Sequence, residues 1–271
     1  MLISSLVSPL LTQFHTYVAN KKAESTDLEG TGAEFDLSTA HSEMTRALAL
    51  TERTTNAVHI CRILYSLLER KPQFISQWNV ESLLSAVAIL SAEKARPDST
   101  IPFVWLCKLV EVIVKKHRVR LEGHYHILLA AVQPLLCNLI QEQREIQSGD
   151  GISQESKASA YGRLITLVCE PTTGAVSRSQ HHSALDTATD AAKRSAGRHM
   201  YLILMQYVKL QLETDVSRGV REALEPAMNS IFDITPPEGR KILNDAMDSS
   251  GRAILREMFK RYTKFGKWSG V

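Results

Sequence analysis

No C-x-x-C pair and no histidine pair at zinc spacing occurs among the 271 residues, and Cys61, Cys107, Cys137 and Cys169 stand far apart. A zinc module of the common kinds is therefore excluded. Each cysteine sits inside an apolar helical pattern, so the expectation is four reduced thiols in a core. No apolar run approaches the ~20 residues that span a bilayer. The opening stretch Leu2 to Leu11 lacks a basic leader and is broken by Pro9, so it is expected to be an ordinary helix of a soluble protein rather than a signal peptide. Alternating polar and apolar residues, the signature of strands, are nearly absent.

Chemistry is equally sparse. The sequence has no G-x-x-x-x-G-K-[ST] loop, no G-x-G-x-x-G after a strand, no H-E-x-x-H and no G-x-S-x-G. His124 and His126 flank Tyr125 at an expected helix start with no third ligand near, so capping or a surface role is the better reading. His181-His182 lies in a polar stretch without a cysteine or carboxylate at metal spacing. No catalytic, cofactor-binding or metal-binding residue is expected, and the reading is of a non-enzymatic chain without cofactors.

What remains is ample for a folded core. A hydrophobic fraction of 44% and a charged fraction of 23% are those of a globular chain, not a disordered one. Apolar residues recur at helical spacing almost throughout. Tyr125, Leu128, Leu129, Val132, Leu136, Leu139 and Ile140 form one stripe, which Pro134 should kink. Phe103, Leu106, Val110 and Ile113 form another over 101–116, with Lys115 and Lys116 in its last turn, where they suit the helix dipole. Further helices are expected over 37–70, with a break near Glu52 left open, ended by Lys71-Pro72, and over 80–94 with Asn79 as N-cap. The run Met200 to Val208 is apolar nearly all round and should be the central helix.

The fold expected is all-α, a single helical domain over 1–271 built of antiparallel helix pairs. Both an irregular helical bundle and an α-solenoid of the HEAT or armadillo kind stay open, no repeat of fixed period being visible. Polar stretches near 21–34, 147–156 and 171–183 are expected to be mobile loops.

Charge is unevenly placed. From Arg252 to Val271, six basic residues face Glu257 alone, a net of +5 that leaves the rest of the chain at −2. Arg252, Arg256, Lys260 and Lys264 recur every four residues along one helix face, beside an apolar face of Leu255, Met258, Phe259 and Tyr262. Such a stripe suits an RNA backbone or an acidic protein surface, while a solvated helix face is the plain alternative. With Arg261, Lys267 and Trp268 it forms the first candidate RNA- or partner-binding group. Lys115, Lys116, Arg118 and Arg120 form a second, and Lys193, Arg194 and Arg198 a third. No aromatic platform of the RNP type is visible.

Two segments carry a family resemblance. Leu243-Asn244-Asp245-Ala246-Met247-Asp248-Ser249-Ser250-Gly251-Arg252-Ala253-Ile254-Leu255, followed by Tyr262-Thr263-Lys264-Phe265-Gly266-Lys267-Trp268, resembles the closing motif of the unhealthy ribosome biogenesis protein 2 homologues. Val114-Lys115-Lys116-His117-Arg118, leading through Gly123 to His126-Ile127-Leu128-Leu129, is similar to that family's basic turn between helices. Together the likeness spans most of 100–271, in the C-terminal pre-ribosomal RNA processing domain of a family whose members are far longer. The resemblance implies a nuclear, nucleolar helical scaffold in large-subunit (pre-60S) assembly, without catalytic residues. Its implied partners are other large-subunit assembly factors and pre-ribosomal RNA, with neither a membrane nor a small-molecule substrate. A helical-repeat adaptor in transport or trafficking would use the same helices.

Overall fold

The computed structural model describes residues 54–92, 103–141, 151–171 and 182–265, with the backbone alone at 54–57, 59, 151–153 and 182–188. Among the described residues there are nine α-helices, two short 3-10 turns and no strand. The helices are α1 (Thr54–Arg70), α2 (Gln77–Ala92), α3 (Phe103–Lys116), α4 (Tyr125–Gln141), α5 (Gly151–Cys169), α6 (His182–Glu213), α7 (Arg218–Ile234), α8 (Pro237–Ala246) and α9 (Ser249–Phe265). No described helix is long and apolar enough to cross a membrane.

Local chemistry sets most boundaries. Lys71 leaves the helical region at φ −133°, as the residue before a proline tends to, and Pro72 opens the 3-10 turn Pro72–Phe74. The start of α2 corrects the expected cap. Ser76 precedes the helix and Asn79 answers from its first turn: the Asn79 Oδ1 accepts from the Ser76 N–H at 2.9 Å and the Asn79 N–H donates to Ser76 Oγ at 3.2 Å. Two otherwise orphaned donors are satisfied reciprocally, three residues before the helix start expected from the apolar pattern. Gly151 to Ser156, expected to be loop, instead form the first turns of α5. His182 and Ser183 likewise open α6. The expected helix at 2–11, the loops at 21–34, 147–150 and 172–181, and the 37–53 part of the long N-terminal helix lie outside the described residues.

The helices stack in two layers. The most extensive packing skips one element each time, joining α1 to α3, α3 to α5 and α5 to α7, and, in the other layer, α2 to α4 and α4 to α6. This is the order of an α-solenoid, in which each helix pair leans on the next pair. α8 and α9 then close the end of the stack against α6, with α9 also touching α7. This stacking order is present in space although no repeat of fixed period is visible in the sequence.

The core runs continuously through this stack. α3 and α4 are buried on most faces, Val110, Ile113, Leu128, Val132, Leu135, Leu136 and Leu139 having no solvent exposure. Pro134 lies inside α4 and removes the N–H that would bond the Ala130 carbonyl. Ala130 faces solvent, so water can take that bond. Tyr161 of α5 is fully buried, its hydroxyl donating to the Val132 carbonyl at 3.1 Å. α6 is central as expected, packing on α4, α5, α7, α8 and α9, although Tyr201, Leu202, Met205 and Gln206 keep partial exposure. Glycine permits two close crossings: a Cβ at Gly162 would lie 2.9 Å from the Ala223 carbonyl oxygen, and one at Gly197 2.1 Å from that of Ile234. All four cysteines are free, with Cys61, Cys107 and Cys169 buried and Cys137 half-buried.

Candidate functional site

α9 begins where its sequence says it should. Asp248 precedes it, and its Oδ1 accepts the Gly251 N–H at 2.7 Å, an N-cap whose negative charge also suits the helix dipole. Once started, the helix has an apolar side to bury. Tyr262 is buried and its ring stacks on Phe232 of α7 with centroids 5.4 Å apart, while Phe259 meets Phe232 edge-on at 5.5 Å. Leu255 and Met258 pack partly into the same core. The Tyr262 hydroxyl donates to Asp233, and burial together with that carboxylate pushes the phenol up to about 12. Arg240 of α8 lies over the Phe259 ring at 5.6 Å. α9 is thus a docked element, held by the four apolar residues expected to hold it.

Its opposite side carries the basic row. Arg256, Lys260 and Lys264 are exposed and Arg252 is half-buried. The gradation follows from geometry: a spacing of four in a helix of 3.6 residues per turn drifts by about 40° per step, so the row winds from the packed flank into solvent. Among the described residues no ion pair holds Arg252, Arg256 or Lys260. Arg261 is different, since its Nη2 reaches Glu225 Oε2 of α7 at 3.1 Å and ties α9 down. Lys267 and Trp268 lie outside the described residues.

The second basic group divides. Lys115 and Lys116 are exposed in the last turn of α3, and Lys115 pairs with Glu111 at 3.7 Å. Arg120 is half-exposed in the 3-10 turn Arg118–Leu121, which Gly123 closes at φ +78°. Arg118 corrects the sequence reading of a surface cation, because only 2% of it is exposed. Its Nη2 donates to the Leu167 carbonyl at 2.6 Å, and both Nη1 and Nη2 reach the Val168 carbonyl at 3.2 Å. A cation thereby caps the last carbonyls of α5. The third group, Lys193, Arg194 and Arg198, is exposed on α6. α9 packs on α6 and α7 while the Lys115 group sits at the α3–α4 junction, so the first and second groups occupy different parts of the stack.

The buried cysteines are packed as thiols. Burial pushes the Cys61 thiol up to about 11 and raises Cys107 and Cys169 further, which disfavours the nucleophilic thiolate. No group of three or more potential metal ligands occurs among the described residues. His124 Nδ1 reaches Glu81 Oε1 at 3.0 Å, and its ring stacks near His126 at 6.1 Å, closer than their spacing in a regular helix allows because His124 precedes α4.

His117 supplies a pH prediction. It is buried, its Nε2 lies 3.1 Å from the Leu68 carbonyl, and burial lowers its pKa from 6.5, with Arg120 adding to the shift. The folded protein therefore binds this proton less tightly than the unfolded chain. Its contribution to stability is complete above the unfolded value and falls as the pH drops from about 6.5 toward the lower folded value. His199, also lowered by burial and by His126 and Arg198, acts in the same direction. Melting temperatures measured from pH 7.5 to pH 5.5, on the order of one unit either side of that value, should fall on acidification, and less steeply for His117→Gln. Equal slopes for the two proteins would remove His117 from this role.

Comparison with known proteins agrees with the motif that closes the chain. Residues 58–271 match the Urb2/Npa2 family, so the match takes in most of α1 and all of α2 as well as the 100–271 stretch that carries the resemblance. No curated protein and no solved structure matches the chain. With the matched region running through every described helix, the chain belongs to the Urb2/Npa2 family, which has a role in ribosome biogenesis.

Proposed function

We propose that the chain is a non-enzymatic helical scaffold in nucleolar pre-ribosomal RNA processing and large-subunit assembly, which holds other large-subunit assembly factors and pre-ribosomal RNA. The observation that carries this reading is α9: its apolar side is docked on α6 and α7 while Arg256, Lys260 and Lys264 stand in solvent beside the half-buried Arg252. A row that winds along a docked helix offers a rigid track of charge, and neutralising a phosphate there releases its condensed counterions. The family's role in ribosome biogenesis supports an RNA-rich setting for that track.

Replacing Arg252, Arg256, Lys260 and Lys264 with Gln should leave the melting temperature nearly unchanged, since exposed ion pairs contribute only about 0–1 kcal/mol each. RNA association should weaken and its log–log salt slope flatten, by roughly 0.7–0.9 per lost phosphate contact. If the row instead meets an acidic protein surface, the association rate should fall most, because steering acts before contact. Unchanged binding of both RNA and assembly factors would reduce the row to a solvated face.

A further inference from the structure

Near the α3–α4 junction the fold brings together features that are separate in the sequence. Gln77 Nε2 of α2 donates to the Arg120 carbonyl at 2.8 Å, and His117 Nε2 meets the Leu68 carbonyl of α1, so the two 3-10 turns lie at the same end of the stack. That end leaves large apolar side chains in water: Trp78 is 50% exposed, Phe74 45% and Val119 53%. Lys71 and Lys116 are exposed beside them in the chain and Arg120 is half-exposed. Among the described residues none of these three cations has an ion pair, whereas Glu111 is taken by Lys115 and Glu81 by His124 and Gln77. Aromatic rings and cations on one surface are what a single strand requires: the flat faces of unpaired bases stack on the rings, and the phosphates meet the cations. An acidic peptide would use the cations but has no base to lay against Trp78.

We infer that Trp78 and Phe74, with Lys116 and Arg120, form a stacking surface for single-stranded RNA, separate from the α9 row. The inference deepens the scaffold reading and rests on it. The surface is not legible in the sequence because Trp78 and Arg120 are 42 positions apart, and their turns meet only in the fold, where Gln77 bonds the Arg120 carbonyl.

The test is fluorescence anisotropy with the full 271-residue chain, a labelled single-stranded RNA of mixed sequence, and the same strand annealed to its complement. Trp78→Leu should weaken single-strand binding about 5–150-fold, the loss expected when one base loses its stack. Duplex binding should not change, and Trp78→Phe should restore most of the single-strand affinity, because a phenyl ring stacks and an isobutyl group does not. Trp78 is half in solvent, so equal melting temperatures should accompany all three proteins. Unchanged single-strand affinity in Trp78→Leu, or Phe behaving as Leu, would overturn the inference. So would a polyglutamate peptide that binds as tightly as the RNA and responds only to Lys116→Gln with Arg120→Gln. If the fourfold α9 variant loses binding while Trp78→Leu does not, the α9 reading stands and this one fails. If the parent binds no RNA at all, this inference fails and the scaffold reading is left to its test on assembly factors.

Discussion

Arg118→Met should destabilise the protein by about 2–4 kcal/mol, because it removes hydrogen bonds from a charged donor and strands the carbonyls that received them. The side chain is 2% exposed and makes no ion pair among the described residues; its partners are the Leu167 and Val168 carbonyls and, at 3.5 Å, the Tyr125 hydroxyl. Helix α5 ends at Cys169, and the bonds to the Val168 carbonyl are buried while that to Leu167 is partly buried, so little solvent stands ready to replace the guanidinium. Burial lowers the Arg118 pKa, and Tyr125 partly offsets it. Met matches the length of the arginine stem but offers no donor. For a chain of this size the loss corresponds to a fall of about 4–16 °C in Tm. Lys116→Gln, exposed in the last turn of α3, and Arg120→Gln, half-exposed on the same 3-10 turn, should shift Tm by less than about 2 °C. A thermal melt in which Arg118→Met matched those surface variants would return Arg118 to the surface group in which the sequence places it.

Leu204→Ala should cost about 2–5 kcal/mol, the sum of lost transfer energy and of a cavity the surroundings fill only in part. Leu204 has no solvent exposure, and its helix packs on five others, so the neighbours are fixed from several sides and can collapse little. The upper half of the range is therefore expected. Chemical denaturation should show a lower midpoint with an unchanged slope, the mark of lost stability without a change in the surface exposed on unfolding. A midpoint equal to the parent's would take α6 out of the centre of the fold.

What the sequence makes legible is what its local pattern determines. Helix identity is legible: the stripes at Phe103 to Ile113 and at Tyr125 to Ile140 fall within α3 and α4, and the apolar face of Leu255, Met258, Phe259 and Tyr262 packs as its spacing indicates. Composition misled where a helix starts with polar residues. Gly151 to Ser156 look like a loop by residue type, yet they continue into Ala158, Tyr161, Leu164 and Ile165, whose burial carries the turn before them into helix. The two-layer stacking is not legible there, because the contacts between every second helix join residues far apart in the chain with no repeated motif to mark them.

The candidate surface divides along the same line. The α9 row was legible because one helix defines its face. Arg118 was not, since Lys115, Lys116, Arg118 and Arg120 read as one basic cluster until the 3-10 turn rotates Arg118 inward toward the end of α5. Arg261 reads as one more cation of the row because its partner Glu225 lies 36 positions earlier and on another helix.

The claim that the chain is a ribosome-assembly scaffold acting through α9 is tested most directly by affinity purification with mass spectrometry and RNA crosslinking, comparing the chain with its Arg252, Arg256, Lys260 and Lys264 to Gln variant at matched Tm. The parent should recover large-subunit assembly factors and crosslink to pre-ribosomal RNA, and the variant, equally stable, should lose a large part of one or both. Recovery of neither by the parent, or equal recovery of both by the two proteins, would contradict the claim.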